Sequence, residues 1–122
     1  MRFGRAGVSR DADGPYPTLL DESDVVPRQV DGVSGIGFVV IPSSAAPYSV
    51  YSVHRLPGAP RTVGKSLDLQ PDGSFRTRAE SAQGACLFSF AFDADDPLGT
   101  YGIDVYVDGR LVRSAEIRVV AP

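Results

Sequence analysis

Between Cys86 and Val120 apolar and polar residues alternate with a period of two, the signature of strands with one face in a core. Tyr101, Ile103, Val105 and Val107 form one apolar row, and Leu111, Ala115, Ile117 and Val119 form a second, with the turn pair Asp108-Gly109 between them. A two-residue loop would set Arg110, Ser114 and Glu116 beside the first row. A loop of Val107, Asp108 and Gly109, closed by a left-handed glycine, instead pairs Val105 with Leu111 and Tyr101 with Ala115. Hydrophobic matching selects the second register and sets Arg113 opposite Ile103, because a one-residue slip turns every side chain to the wrong face.

The same reading predicts strands over 3–9, 25–30, 35–41, 48–55, 63–69, 74–78, 85–92, 100–107 and 111–120. Turn chemistry separates them: Asp13-Gly14-Pro15, Asp31-Gly32, Pro42-Ser43-Ser44, Pro57-Gly58, Pro71-Asp72-Gly73 and Asp96-Pro97-Leu98-Gly99. At Pro71-Asp72-Gly73 a three-residue loop pairs Leu69 with Phe75 and Asp68 with Arg76, one apolar pair and one of opposite charge. The segment 11–24 is rich in Asp, Pro and Gly and reads as a long loop with one helical turn at Thr18 to Asp21. No stretch carries a sustained 3.6-residue period. The expectation is an all-β, antiparallel sandwich of about seven to nine strands.

Composition narrows this picture. With 122 residues and 43% hydrophobic content, the chain can build one core, so 1–122 is expected to be a single β-sandwich domain. The net charge is −3 and the 12 basic residues are scattered, Lys65 being the sole lysine. A nucleic-acid module concentrates such charge on one face, so no nucleic-acid partner is expected. No apolar run follows the basic N-terminus and none approaches a membrane span, so a soluble, cytoplasmic protein is expected. Cys86 is the only cysteine; it alternates with Phe88, Phe90 and Phe92 and reads as a buried core thiol in a reducing compartment.

The run F-x-F-x-F (Phe88 to Phe92), an acidic corner, and then P-L-G-T-Y-x-I-x-V-Y-V-x-G-x-L-V-x-x-x-x-I-x-V resemble the closing strands of bacterial immunoglobulin-like β-sandwich modules. R-x-G-V at 5–8, I-G-F at 36–38 and V-H-R-L-P-G at 53–58 make the chain similar to one uncharacterised bacterial family of such domains. The resemblance implies an immunoglobulin-like sandwich and no assigned function. Where that family often places Trp at the start of the G-T-[WY] strand, Tyr101 stands here. The motif describes packing, so no catalytic residue follows from it.

Candidate chemistry is sparse. His54 is the only histidine; without a G-x-S-x-G elbow or an oxyanion loop, a hydrolase centred on His54 ranks below a strand-surface histidine. One His and one Cys make no zinc site. Asp11-x-Asp13-Gly14 and Asp93-x-Asp95-Asp96 fall short of a calcium loop; the second fits a strand-ending corner, with calcium at Asp93, Asp95 and Asp96 left open. No cofactor is expected. Tyr48, Tyr51, Tyr101 and Tyr106 are candidates for a sugar-stacking platform or for half-buried strand tyrosines. Tyr106, with Asp104 beside it and Arg110 across the predicted hairpin, reads as an exposed anchor for a partner. The sequence therefore points to a non-enzymatic module that binds a protein partner or a second copy of itself, with a carbohydrate- or small-ligand-binding module as the alternative.

Overall fold

The computed structural model describes residues 1–11, 14–58 and 67–122, and the side chains of these outside 8–17. Eleven strands are described: β1 Arg2–Asp11, β2 Gly14–Asp21, β3 Val25–Pro27, β4 Gly35–Val40, β5 Tyr48–Arg55, β6 Leu67–Leu69, β7 Phe75–Thr77, β8 Glu80–Ala82, β9 Cys86–Ala91, β10 Gly99–Val107 and β11 Arg110–Val120. They form two sheets. One has the order β2-β1-β4-β9; the other runs β3-β11-β10-β5-β7-β6, with β8 also pairing β5. All pairs are antiparallel except β11 with β3. The inner faces of the two sheets meet in one apolar cluster, which makes the molecule a β-sandwich.

That cluster includes Phe3, Ile36, Phe38 and Val40 from one sheet and Val50, Ile103, Val105, Ile117 and Val119 from the other. Phe38 is its hub, 1% exposed. Its ring centroid lies 5.5 Å from that of Phe3, 5.3 Å from Phe88 and 6.2 Å from Phe90. Each aliphatic or aromatic side chain so buried contributes about 1.5–3 kcal/mol relative to exposure. At Gly35 a Cβ would fall 1.8 Å from the Phe90 carbonyl oxygen, so only glycine lets β4 and β9 approach this closely.

Three sequence expectations are corrected. Residues 14–21 are strand β2, paired with β1 from Arg5↔Asp21 to Asp11↔Gly14, where a long loop with a helical turn was expected; Ala12 and Asp13 lie outside the described residues. The physical reason is long-range pairing: an edge strand satisfies one row of backbone groups, and its prolines tolerate that position. The final hairpin closes on two residues, with Val107 opposite Arg110. Asp108 at φ 50° and Gly109 at φ 79° are both left-handed, as a type I′ turn requires. The register then steps by one, pairing Tyr106 with Leu111 and Val105 with Arg113. A bulge at Val112 thus brings Ala115, Ile117 and Val119 to the face of the first apolar row, as the longer loop was expected to do, but every partner is shifted by two residues from the expected one, so Arg113 lies opposite Val105 and not Ile103. It sets Ile103 opposite Ala115 and Tyr101 opposite Ile117, but leaves Leu111 and Val112 exposed. Thirdly, Cys86 is half-buried rather than in the core, because β9 is the last strand of its sheet.

The Pro71-Asp72-Gly73 hairpin matches expectation, with Leu69 opposite Phe75 and Asp68 opposite Arg76. Of the expected strand 63–69, only Leu67–Leu69 falls among the described residues. Among the described residues no helix is long and apolar enough to cross a membrane.

Candidate functional site

Strand β5 sits between β10 and β7 and carries different chemistry on its two faces. On the outer face Tyr51 lies opposite Tyr106, and Val53 lies between Asp104 on β10 and Arg76 on β7. The two tyrosine rings stack with centroids 4.7 Å apart and planes 7° from parallel. Arg76 reaches in from the other side of β5 and places its guanidinium carbon 4.0 Å from the Tyr51 centroid, a cation–π contact. One residue pair along, Arg55 donates both terminal nitrogens to Asp104, Nη2 to Oδ1 at 3.2 Å. This fork holds the Asp104 carboxyl below the usual carboxylate range, aided by the Ser114 hydroxyl.

The 71–73 turn forms one wall of a shallow groove of about 500 Å³ over this face, bordered by Gln70, Pro71, Asp72 and Ser74. Asp72 accepts from the Ser74 amide at 2.9 Å and the Ser74 hydroxyl at 2.6 Å, which keeps the wall rigid and depresses the Asp72 pKa. Tyr106 and Asp104 are therefore brought together, as the sequence suggests. Arg110 is not: it pairs with Val107 and shares that residue's face, opposite to the face of Tyr106. Arg55 and Arg76 are the members of this face that sequence reasoning missed, and Tyr51, a candidate for a sugar-stacking platform, was not placed beside Tyr106. The alternation of Tyr51, Val53 and Arg55 was the available signal; which strand would lie beside them was not.

The inner face of β5 corrects the reading of His54 as a surface residue. His54 is 6% exposed and Ser52 1%. The Ser52 hydroxyl lies 2.7 Å from His54 Nε2 and 3.4 Å from Thr77 Oγ1, and the Thr77 hydroxyl accepts the Ser52 amide at 2.8 Å. The edge of one ring meets the face of the other where His54 packs on Phe90, centroids 4.4 Å apart. Burial drives the His54 pKa down to about 4, against a smaller upward pull from Asp104, so the imidazole is neutral near pH 7. Asp104 points to the outer face and is engaged by Arg55, so it is not a hydrogen-bond partner of the imidazole. The hydroxyl and imidazole satisfy each other inside the core.

The remaining candidates have local roles. Tyr48 and Tyr101 are buried and donate to the carbonyls of Gly84 and Pro97, each at 2.6 Å. At the acidic corner, Asp96 accepts the Asp93 amide at 2.8 Å, and Arg28 Nη1 donates to the Asp96 carbonyl at 2.7 Å. Burial, with Asp93 and Asp95 nearby, raises the Asp96 pKa. Among the described residues no three His, Cys, Asp or Glu side chains converge as a metal-holding group.

The architecture defines a β-sandwich, and comparison with known proteins gives its family. Residues 5–120 match the model of the PM0630 β-sandwich domain family, and the chain belongs to that family. Among solved structures it is similar to an immunoglobulin-like protein from Pseudomonas aeruginosa, 14% identical, with a TM-score of 0.48 over 98% of this chain and 93% of that one. It is also similar to part of the alkylpurine DNA glycosylase AlkC of Pseudomonas fluorescens bound to DNA with an abasic site analogue. There the identity is 12% and the TM-score 0.40, over 98% of this chain and 30% of that one. No curated protein matches the chain.

Proposed function

We propose that this chain is a non-enzymatic recognition module that binds a protein partner, or a second copy of itself, through the outer face of β5, β7 and β10. The observation that carries this reading is the Arg76–Tyr51–Tyr106 stack beside the Arg55–Asp104 fork. Tyr and Arg are the residues in which protein-contact energy concentrates, and side chains already held in place lose little entropy on binding. The sugar-platform alternative is less well supported. It needs open ring faces, whereas Tyr51 is covered on both sides, by Tyr106 and Arg76, and Tyr48 and Tyr101 are buried. A hydrolase finds little support in a Ser52–His54 pair that is 1% and 6% exposed.

The test combines sedimentation with affinity capture, comparing wild type, a Tyr106→Ala, Arg76→Ala double variant and Arg110→Ala. The expected result is a stoichiometric partner, or a dimer, held by wild type and by Arg110→Ala and lost by the folded double variant. A monomer that captures nothing at micromolar concentration overturns the proposal. So does a double variant that binds as wild type does.

A further inference from the structure

The stack on the outer face is part of a longer row. Arg76 on β7, Tyr51 on β5, Tyr106 on β10 and Leu111 on β11 follow one another across four neighbouring strands. Leu111 joins the row because it pairs with Tyr106, and directly opposed residues share a face. Three strand spacings of about 4.8 Å give the row a length of about 14 Å. It runs across the strands and changes character along its length. A guanidinium stands at one end, two phenol rings in the middle and an aliphatic group at the other end.

Both ends lack the partner that their chemistry calls for. Among the charged side chains lining the groove, Arg55 and Asp104 hold each other and Asp72 is held by Ser74. Arg76 lies over the Tyr51 ring and, among the described residues, forms no ion pair. Asp68 stands opposite it in the β6–β7 register, yet the guanidinium is engaged by the ring and not by that carboxylate. Stacking occupies the flat face of a guanidinium and leaves its N–H edge free for a planar acceptor. At the other end Leu111 is 53% exposed and its bulged neighbour Val112 51%. Water satisfies the arginine edge; it does not satisfy two adjacent aliphatic side chains.

Resting on the reading of this face as a recognition surface, we propose that its partner is a protein offering one extended segment laid along the row. An Asp or Glu of that segment pairs with Arg76, and an apolar residue four positions away packs on Leu111. Four residues of extended chain span about 13 Å and return to the same face, which matches the row; the residue midway between them meets the tyrosine pair. Asp72 and Asp104 line the same groove. A phosphate with a charge of about −2 is therefore repelled more than a carboxylate with a single charge.

The experiment is selection from a displayed library of short randomised segments, with wild type, Arg76→Glu, Leu111→Asp and Tyr106→Ala as baits, each first shown to unfold cooperatively. Wild type should enrich Asp or Glu four positions from an apolar residue. Arg76→Glu should exchange the acidic position for Lys or Arg and keep the apolar one, a reversal that loss of folding cannot produce. Leu111→Asp should bind the wild-type segments at least about tenfold more weakly. No enrichment, enrichment without the acidic position, or an unchanged preference in Arg76→Glu overturns the proposal. A wild-type dimer in sedimentation that competes with the segments assigns the row to a second copy and overturns it as well. Segments that lack the acid but are lost by Tyr106→Ala leave the face a recognition surface and remove only this assignment of its partner; segments held equally by Tyr106→Ala remove both.

Discussion

Alternate residues of β5 live in opposite environments, and over Tyr51 to His54 each set has the character usually found on the other side of a sheet. Ser52 and His54 point into an apolar core, whereas Tyr51 and Val53 point outward beside Arg55. The inward polar groups are tolerated because they bond to one another and to Thr77. The outward aromatic is tolerated because it is stacked and capped. Polar chemistry hidden from solvent contributes to folding; aromatic and arginine surface shown to solvent is available for contact. The contrast is why the His54 pair reads as structure and the Tyr51–Tyr106 face as recognition.

Removing the bed on which the inner face rests should have the largest effect. Phe38→Ala leaves a cavity among Phe3, Phe88 and Phe90, and denaturant unfolding should register a loss of about 3–5 kcal/mol. Acid comes next. The folded-state pKa of His54 is about 4 against an ordinary value of 6.5, so the unfolded chain takes up the proton first. The contribution of the neutral buried ring is complete above pH 6.5 and disappears as pH falls towards 4, by about 3 kcal/mol. The difference between wild type and His54→Leu in unfolding curves across that window isolates it, and parallel curves would refute it. On the outer face a Tyr51→Ala, Tyr106→Ala double-mutant cycle should return a coupling of about 0.5–1.5 kcal/mol, read from the same unfolding curves. Arg55→Ala should be the smallest change, about 0–1 kcal/mol in melting experiments, because its side chain is 51% exposed. A loss of several kcal/mol there would mean that the outer face is as much a part of the fold as the core.

How far the chain was legible differs by segment. The rows through Tyr101, Ile103 and Val105 and through Ile117 and Val119 are buried as their alternation demands, and the register at Pro71-Asp72-Gly73 follows from turn chemistry and charge. At the Asp108-Gly109 turn, hydrophobic matching chose the right faces beyond the bulge and the wrong partners: Val105 lies opposite Arg113 rather than Leu111, and Tyr101 opposite Ile117 rather than Ala115. Loop and bulge satisfy the same pattern, and only the local backbone distinguishes them. Strand β2 was missed because its pairing partner, not its composition, makes it a strand. His54 was misplaced for a related reason: alternation separates 51, 53 and 55 from 52 and 54 but does not say which set faces inward.

By itself, then, the sequence determined that this is an all-β chain, where most of its turns fall and which residues share a face, because period and turn chemistry are local properties of the backbone. The order β2-β1-β4-β9, the inward turn of His54 and the stacking of Tyr51 on Tyr106 were decided only in three dimensions. Each depends on which strands become neighbours, and that is set by the long-range burial of both sheets against one core.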